Sequence, residues 1–390
     1  MTKKNDGRKI KTDKTRLLHT GRGGENHFGA VNPPTYHAST ILYDSYDDMM
    51  NLRRPFHYGR AGNPTTRALE ETLTELENGH NTLLLPSGLA ACTLPLLALA
   101  QPGDHILVSD SVYNPTRSFC DTTLTRFGVT TEYFDPCCGA DIEGLLRENT
   151  RLIFLESPGS LTMEMNDVPA ICKIARAKNI VTVMDNTWAT PLYFKPLDHG
   201  VDVSVQSLTK YVVGHADALM GSVSMTKELF TALKLTHRQI GYAVGGDDAA
   251  LALRGLRTLS VRLEQHMKNA LKIADWLETM PQVTQVLHPA LPSHPQHALW
   301  QRDFNGASGL FSFVLPPSPP EALAAMMDEM TFFGMGFSWG GFESLMIHGL
   351  IIRDHADWPA PLIRLHIGLE DTDELIADLE AGLLRWEKAC

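Results

Sequence analysis

The sequence predicts an α/β protein whose large domain is a mostly parallel seven-stranded sheet flanked by helices. A smaller C-terminal α+β domain and an extended N-terminal arm complete the predicted architecture. Three observations support this fold class. Short apolar runs alternate with helix-length amphipathic segments over residues 62–255. The alternation stops after residue 255, and the first 61 residues are rich in turn formers.

The large domain is assigned to residues 62–255. Its apolar runs are short and bounded by turn-forming residues, which is typical of buried parallel strands. They are TLLLP (82–86), HILVS (105–109), TTEYF (130–134), RLIFLE (151–156), IVTVMD (180–185), VDVSVQ (201–206) and ALMGSVSM (218–225). In such a sheet, ligands bind outside the carboxyl ends of the strands.

The N-terminal arm is assigned to residues 1–61 and is expected to pack on a neighbouring subunit. Its first sixteen residues are basic, and no apolar stretch follows them, so they do not resemble a signal peptide. We expect them to form a mobile, solvated segment. Asn63 and Pro64 then mark the start of a helix, with Thr65 or Thr66 near its cap.

The C-terminal domain is assigned to residues 256–390. A long helical segment runs from Leu253 to Met280 and is closed by Pro281. Short strands are predicted in QVTQVLHP and LFSFVLP, followed by a helix from Pro320. The Gly/aromatic stretch FFGMGFSWGGFESL is interpreted as a loop, and a final strand and helix begin at LIRLHIGLED.

Composition excludes several classes of partner. The net charge of −11 argues against nucleic acid or an anionic membrane surface. The longest apolar run, residues 88–100, is too short to span a bilayer. The six cysteines lack metal-ligand spacing, and we expect reduced thiols in the cytoplasm. No metal site is predicted, and His215 and His348 are interpreted as structural.

Asp185 ends one predicted strand, and Lys210 follows the end of the next. A partly desolvated lysine amine can attack a carbonyl, although a lone lysine is more often a solvated surface residue. A buried aspartate can face a cationic ring nitrogen, although it can also cap a turn. Because the two strands are successive, both side chains can meet one ligand.

Three further positions extend this set, each with a plainer alternative. Ser87 and Gly88 open a helix after a strand, which suits a phosphate but also fits an ordinary serine cap. Tyr113 also follows a strand and can stack on an aromatic ligand or pack beneath its loop. Arg364 lies inside an apolar strand, where it can bind a substrate carboxylate or form an internal salt bridge.

Together these residues offer a Schiff-base lysine, a pyridinium-facing aspartate, a stacking ring, a phosphate cradle and a carboxylate clamp. This combination specifies pyridoxal phosphate as cofactor and an amino acid as the small-molecule substrate.

At these residues the chain resembles the Cys/Met-metabolism family of fold-type-I pyridoxal-phosphate enzymes, whose large domain is like that of aspartate aminotransferase. The resemblance covers nearly the whole length except residues 1 to about 40. It rests on the motifs YGRAGNPT (58–65), PSGLAA (86–91), LESPGS (155–160), MDNTWATP (184–191), QSLTKYVVGHAD (206–217) and IRLHIGLED (363–371).

The resemblance implies a role for each matching residue. Lys210 would hold the cofactor covalently and move protons, and Tyr113 would stack on the ring, which makes these two the candidate catalytic residues. Asp185 would pair with the ring nitrogen. The remaining cofactor-binding candidates are Ser87, Gly88, Leu89, Ser207, Thr209, Tyr58 and Arg60, and the substrate-binding candidates are Arg364, Ser338, Trp339, Tyr113 and Tyr58.

Tyr58 and Arg60 would reach the phosphate in a neighbouring subunit, so the resemblance also implies a homo-oligomer, a tetramer of dimers with shared sites. Gly59 stands where the commoner form of the motif has serine, which is interpreted as the loss of a hydroxyl that spares its neighbours.

Within the family, Trp188 and the pair Ser338–Trp339 favour the β-acting branch. The implied reaction is β-elimination of L-cystathionine to homocysteine, pyruvate and ammonia, in methionine biosynthesis, with side activity on cystine or cysteine. The alternatives are a γ-acting relative and, less favoured, a non-catalytic regulator on the same fold.

Overall fold

The computed structural model describes residues 10, 12–22, 27–356, 358 and 360–390, and its larger sheet contains seven strands in the order β1-β7-β6-β5-β4-β2-β3. Only β7 runs antiparallel to its neighbours in this sheet. The strands are β1 Asn81–Leu85, β2 His105–Ser109, β3 Thr130–Phe134, β4 Thr150–Glu156, β5 Val181–Asp185, β6 Val203–Gln206 and β7 Gly221–Met225. The predicted mostly parallel seven-stranded sheet is therefore confirmed.

Helices cover both faces of this sheet because its strands are apolar on both sides. Ile106 and Val108 pack in one apolar cluster, whereas Leu107 between them packs in another. The helices of the chain are α1 Asp13–His19, α2 Tyr46–Met50, α3 Pro64–Leu76, α4 Gly88–Leu99, α5 Asn114–Phe119, α6 Val168–Ala177, α7 Thr190–Tyr193, α8 Phe230–Ile240, α9 Gly246–Leu277, α10 His297–Asp303, α11 Pro320–Met327 and α12 Thr372–Ala389. Helices α4 and α8 share the first cluster, and α3 and α6 share the second.

A second, five-stranded sheet has the order β10-β11-β12-β9-β8. Its strands are β8 Gln285–Leu287, β9 Leu310–Val314, β10 Gly334–Met335, β11 Leu345–Gly349 and β12 Leu362–His366. Strands β10 and β11 were not predicted. The interpretation of residues 332–345 as a loop was therefore wrong near its start, where β10 lies, and at its last residue, where β11 begins. Strand β11 was missed because its burial is irregular and His348 and Gly349 weaken its apolar pattern.

The N-terminal segment is more ordered than the sequence predicted. Thr12 caps α1, and Leu17 in that helix is fully buried in a core cluster. Arg257 on α9 also donates hydrogen bonds to the carbonyl oxygens of Leu17 and Thr20. A helix of seven residues with one buried leucine is too short to show helical periodicity in the sequence, so the expectation of a mobile, solvated arm was wrong from Thr12. For residues 1–9 and 11 it lies outside the described residues.

Helix α9 supports the segment that follows β6. A Cβ atom on Gly255 would lie 2.1 Å from the carbonyl oxygen of Val212, so only glycine allows this close packing. Two turns further on, Arg262 donates a 2.8 Å hydrogen bond to the carbonyl oxygen of Tyr211. The helix is continuous through residue 255, and the division of the chain into domains there stays a prediction.

Within the described part of the chain, no helix combines the length and apolar character that crossing a membrane requires. Nor do three or more His, Cys, Asp or Glu side chains of those residues form a group that could hold a metal ion.

Two fully buried histidines pack together behind the segment that carries Lys210. His266 and His366 lie 5.2 Å apart between ring centroids, and both contact the ring of Tyr211. Nε2 of His366 lies 3.1 Å from both the backbone nitrogen of Gly340 and the carbonyl oxygen of Gly341, so it accepts from the first when unprotonated and donates to the second when protonated. Burial lowers the pKa of His266 to about 4 and the pKa of His366 to about 3.

These two histidines predict an acid-sensitive stability. An unfolded histidine takes up a proton below its ordinary pKa of about 6.5, whereas the folded pair resists protonation. Their contribution to the free energy of unfolding is therefore complete above about pH 6.5 and falls as the pH approaches 4. Denaturant unfolding across this range measures the effect. In the variant His366→Gln, the amide oxygen can still accept from Gly340. We expect the free energy of unfolding of this variant to depend less steeply on pH than that of the wild type. An equally steep pH dependence would contradict the prediction.

Candidate active site

Lys210 lies just after β6, with its amine held by the second sheet's Gly/aromatic loop. Nζ donates a 2.6 Å hydrogen bond to Oγ of Ser338 and lies 5.3 Å from the ring centroid of Trp339. Burial, followed by the charge of Arg364, lowers the pKa of Lys210 to about 8, although Asp185 opposes the shift. About a tenth of the amine is therefore neutral near pH 7, and the neutral form is the one that a nucleophile or base requires.

Ser338 connects this amine to the predicted carboxylate clamp. Its hydroxyl accepts from Lys210, and its carbonyl oxygen accepts a 3.0 Å hydrogen bond from Nη2 of Arg364. Its φ of +88° is a left-handed value that a serine rarely adopts. Such strain persists only where the surrounding contacts enforce it, and it often marks a functional site.

Gly340 allows this loop to reach Lys210. Its φ is +86°, and an added Cβ would lie 2.8 Å from backbone atoms of Lys210 and Tyr211. The nearest atoms all belong to the backbone, so no flexible side chain could move aside to make room for the added Cβ. The glycine thus sets the separation between the loop and Lys210.

We expect the variant Gly340→Ala to reduce turnover by about 10²-fold, because the added methyl displaces Ser338 from Lys210. Gly241→Ala is a matched control, since Gly241 has a φ of +85° with no atom within 4 Å of its added Cβ. That control should lose only about 1 kcal/mol of unfolding free energy and keep its activity. Steady-state rates and denaturant unfolding of both variants test this, and equal turnover by the two would contradict it.

Asp185 ends β5, and its carboxylate is fixed by nearby donors. Oδ1 accepts from the N–H of Thr187 at 3.0 Å and from its hydroxyl. Oδ2 accepts from Sγ of Cys92 on α4 at 3.4 Å. Burial raises the pKa of Asp185, while the donors from Thr187 and Cys92 and the charge of Lys210 oppose that shift. A cationic ring nitrogen would relieve this desolvation.

The predicted phosphate cradle forms where α4 begins beside the segment after β6. The hydroxyl of Ser87 caps the helix by accepting from the N–H of Ala90, so this side chain is an ordinary serine cap. The N–H groups of Gly88 and Leu89 belong to the open first turn, where anions bind. A Cβ on Gly88 would lie 2.4 Å from Oγ of Ser207, so glycine is required for the two segments to meet.

Thr209 lies beside this cradle with its hydroxyl already engaged. Oγ1 donates to the carbonyl oxygen of Met220 and accepts from the N–H of the same residue. To bind a phosphate, this hydroxyl would have to exchange its bond to Met220. Its role stays a prediction.

Tyr113 is 44% exposed and occupies the cap position of α5, above the carboxyl ends of β2 and β4. Its N–H donates a 2.7 Å hydrogen bond to Oε2 of Glu156, the last residue of β4. Burial raises the pKa of the Tyr113 hydroxyl, and the charge of Arg364 partly opposes this. The hydroxyl therefore stays protonated near neutral pH.

Tyr58 and Arg60 lie away from Lys210 in the single chain. Tyr58 is half exposed, and Arg60 donates to the carbonyl oxygen of Arg238 beside a cavity of about 810 Å³ that Lys210 does not line. The structure also explains why position 59 is a glycine: a Cβ there would overlap the carbonyl oxygen of Ala38.

The two tryptophans that favoured the β-acting branch occupy different places. Trp339 lies against Lys210, as described above. Trp188 is 5% exposed, and its Nε1 donates a 2.8 Å hydrogen bond to the carbonyl oxygen of Leu310 on β9. Trp188 therefore joins the two sheets, and its ring packs against His288 and Phe304.

Sequence reasoning missed Glu156 and Cys92 as site residues. Glu156 ends a strand at the same sheet edge as Asp185, so the rule that selected Asp185 applied to it equally. Cys92 carried no such signal, because a thiol inside an apolar helix is indistinguishable from a core residue.

These residues fit pyridoxal phosphate. The charge of Asp185 acts on both Lys210 and Tyr113, so the three groups lie near one another, and the first turn of α4 offers N–H groups that could bind an anion. Gly88 is the decisive feature, because a side chain there would push that cradle away from Ser207.

Comparisons with known proteins identify the family of the chain. The sequence model of the family "Cys/Met metabolism PLP-dependent enzyme" matches residues 14–384 of the chain. The chain is 45% identical to the cystathionine beta-lyase of Escherichia coli, over 95% of this chain and 98% of that protein. It is 41% identical to the L-alanine/L-glutamate racemase of Wolbachia pipientis, over 95% and 96%.

Among solved structures, cystathionine gamma synthase from Xanthomonas oryzae is similar, with a TM-score of 0.91 and 32% identity over 98% of this chain and all of that one. The family match and these identities together show that the chain belongs to the Cys/Met metabolism family of enzymes that depend on pyridoxal phosphate.

Proposed function

We propose that this enzyme catalyses β-elimination of L-cystathionine, which releases homocysteine, pyruvate and ammonia and serves methionine biosynthesis. The main observation behind this proposal is that Ser338 accepts hydrogen bonds from both the amine of Lys210 and the guanidinium of Arg364. A base is thereby placed beside a carboxylate clamp, as removal of a proton from Cα of an amino acid requires. Similarity to the Escherichia coli β-lyase supports this choice of substrate.

The residues divide the reaction between them. Arg364 binds the substrate carboxylate with its planar fork in place of the carbonyl oxygen of Ser338. Lys210, whose pKa is lowered to about 8, removes the proton from Cα and then returns a proton to the departing sulfur. Asp185 keeps its negative charge toward the ring nitrogen. Pyridoxal phosphate, when bound, supplies the electron sink that stabilises negative charge at Cα.

Trp339 supports β- over γ-chemistry. Its indole ring lies against the amine and narrows the space in which a longer substrate chain would extend. Incubation with L-cystathionine followed by identification of the keto acid tests the choice. Pyruvate with homocysteine is the expected result. The appearance of 2-oxobutyrate with cysteine would assign the enzyme to the γ-acting branch, and the absence of both would favour γ-synthase chemistry or a regulator.

A second activity, racemisation of alanine, is favoured by one observation. The Wolbachia pipientis relative is a racemase, and racemisation needs a proton donor besides the base that removed the Cα proton. Tyr113 retains its proton because burial raises its pKa. Chiral analysis of L-alanine incubated with the enzyme tests this, and failure to form D-alanine while cystathionine is cleaved would exclude it.

We further propose a cytoplasmic homo-oligomer, a tetramer of paired dimers, that has no nucleic-acid partner. The six free cysteines agree with a reducing compartment. Arg60 lies apart from Lys210 within one chain, and large apolar side chains are exposed on the segment before it. They include Phe28, Val31, Leu42, Tyr46, Met50 and Leu52.

A shared active site predicts complementation between two inactive variants. We expect Arg60→Ala and Lys210→Ala to be weakly active or inactive alone. After they are mixed, unfolded and refolded together, activity should reappear, because some mixed dimers contain one intact site. Light scattering checks that the mixture has the wild-type mass. Failure to recover activity from correctly assembled mixtures would contradict the shared site.

A further inference from the structure

Glu156 places a second carboxyl group beside Asp185 on the floor of the site. The two residues are register partners on the neighbouring parallel strands β4 and β5. Paired residues of adjacent strands project to the same face, and the strands lie about 4.8 Å apart. Two carboxylates this close repel each other strongly, so ionising both is unfavourable.

The hydrogen bonds favour the charge on Asp185. Its oxygens accept from the N–H and hydroxyl of Thr187 and from the thiol of Cys92. Glu156 accepts one hydrogen bond, from the N–H of Tyr113 at 2.7 Å, among the described residues. Because donors stabilise the ionised form of a carboxyl group, the better-supplied Asp185 retains the negative charge.

Of the surrounding charges, Asp185 favours a neutral Glu156, whereas Arg353 opposes this. Glu156 is faced by Asp185 from β5, by the thiol of Cys92 from α4 and by Arg353 from the segment after β11. The guanidinium of Arg353 is already engaged by Thr162 and by the carboxylate of Glu164 at 3.3 Å. Burial, followed by the charge of Asp185, raises the pKa of Glu156 well above its ordinary range.

We propose that Glu156 is a positioning residue that acts as a neutral carboxyl group: it anchors the turn carrying Tyr113 and leaves Asp185 as the ionised member of the pair. The anchor is the carbonyl-type oxygen that accepts from the N–H of Tyr113. Since Tyr113 is the cap residue of α5, this bond sets where its ring lies over the site. A second negative charge at Glu156 would compete with Asp185 for the ring nitrogen.

Two variants of the cofactor-loaded enzyme separate these roles. Glu156→Gln keeps a neutral group and an oxygen that can accept from Tyr113, whereas Glu156→Ala removes the acceptor. We expect Glu156→Gln to bind pyridoxal phosphate within about twofold of the wild type and to keep its visible circular dichroism. Glu156→Ala should bind about tenfold more weakly, as the loss of one buried hydrogen bond predicts, and its circular dichroism should change as the ring of Tyr113 moves.

Infrared difference spectroscopy tests the proton directly, and does so without depending on the alanine variant folding. Subtraction of the Glu156→Gln spectrum from the wild-type spectrum at neutral pH should leave the carbonyl band of a protonated carboxylic acid. A carboxylate band in its place would overturn the proposal. So would a Glu156→Gln variant as impaired as Glu156→Ala, or an alanine variant identical to the wild type in affinity and circular dichroism.

The inference rests on the cofactor of the family and not on the substrate proposed above. An enzyme that forms no pyruvate from L-cystathionine, yet shows the protonated carboxyl band and the expected dichroism, would refute the proposed function alone.

Discussion

The variant Lys210→Ala is expected to lose turnover of L-cystathionine by more than about 10³-fold, because in the proposed mechanism this single amine serves as both base and acid. The local geometry supports so large an effect. Nζ is fixed by Ser338, and burial holds its pKa at about 8, so neither water nor a solvated lysine can replace it. The fold should survive, since the lost bond to Ser338 is one of several contacts along that loop.

Pyruvate release measures the loss, and Lys227→Ala is the control because Lys227 is an exposed lysine in the turn after β7. The control should retain wild-type turnover. Equilibrium dialysis with pyridoxal phosphate should still show weak binding by Lys210→Ala through the remaining contacts. Near-normal turnover by this variant would remove the basis of the assigned chemistry.

The variant Asp185→Asn is expected to reduce kcat by about 10²- to 10³-fold, the typical effect of removing one preorganised charge-stabilising group. Asparagine has nearly the same shape, and its side-chain oxygen can still accept from Thr187. The change therefore removes the negative charge and little of the packing. Because Asp185 faces the ring nitrogen in the proposed mechanism, the lost charge should affect kcat more than KM.

Steady-state kinetics of Asp185→Asn and of Asp217→Asn provide the comparison, since Asp217 is exposed on the segment after Lys210. The second variant should behave as the wild type. If Asp185→Asn changed KM alone, Asp185 would contribute to substrate binding and not to stabilisation of charge during the reaction.

Most strands of the larger sheet were predictable because they are buried on both faces; the edge strand β3, whose first three residues are not buried, is the exception. A parallel strand covered by helices shows a continuous apolar run, and all seven runs contain a strand within a few residues of the expected bounds. Strand β11 lacks that property, since Ile347 and His348 are not buried. A strand at a half-exposed position has a mixed composition that resembles a loop.

The part of the candidate site at the carboxyl ends of the strands was predictable from one rule of parallel sheets. Lys210, Asp185 and Tyr113 follow the carboxyl ends of strands, and the topology of a parallel sheet brings such ends together. The contact between Lys210 and Ser338 spans two sheets, so no local pattern could predict it. The same limit applies to Trp188, whose place depends on how β9 approaches the larger sheet.

The position of Trp188 between the two sheets also allows their packing to be followed by tryptophan fluorescence. Its indole is held edge-on to His288 and Phe304, at centroid distances of 6.4 and 6.3 Å, and is bonded to the backbone of β9. If the sheets separate, the ring meets water and its fluorescence emission shifts to longer wavelength. The difference between wild-type and Trp188→Phe emission therefore reports docking of the two sheets without an added label.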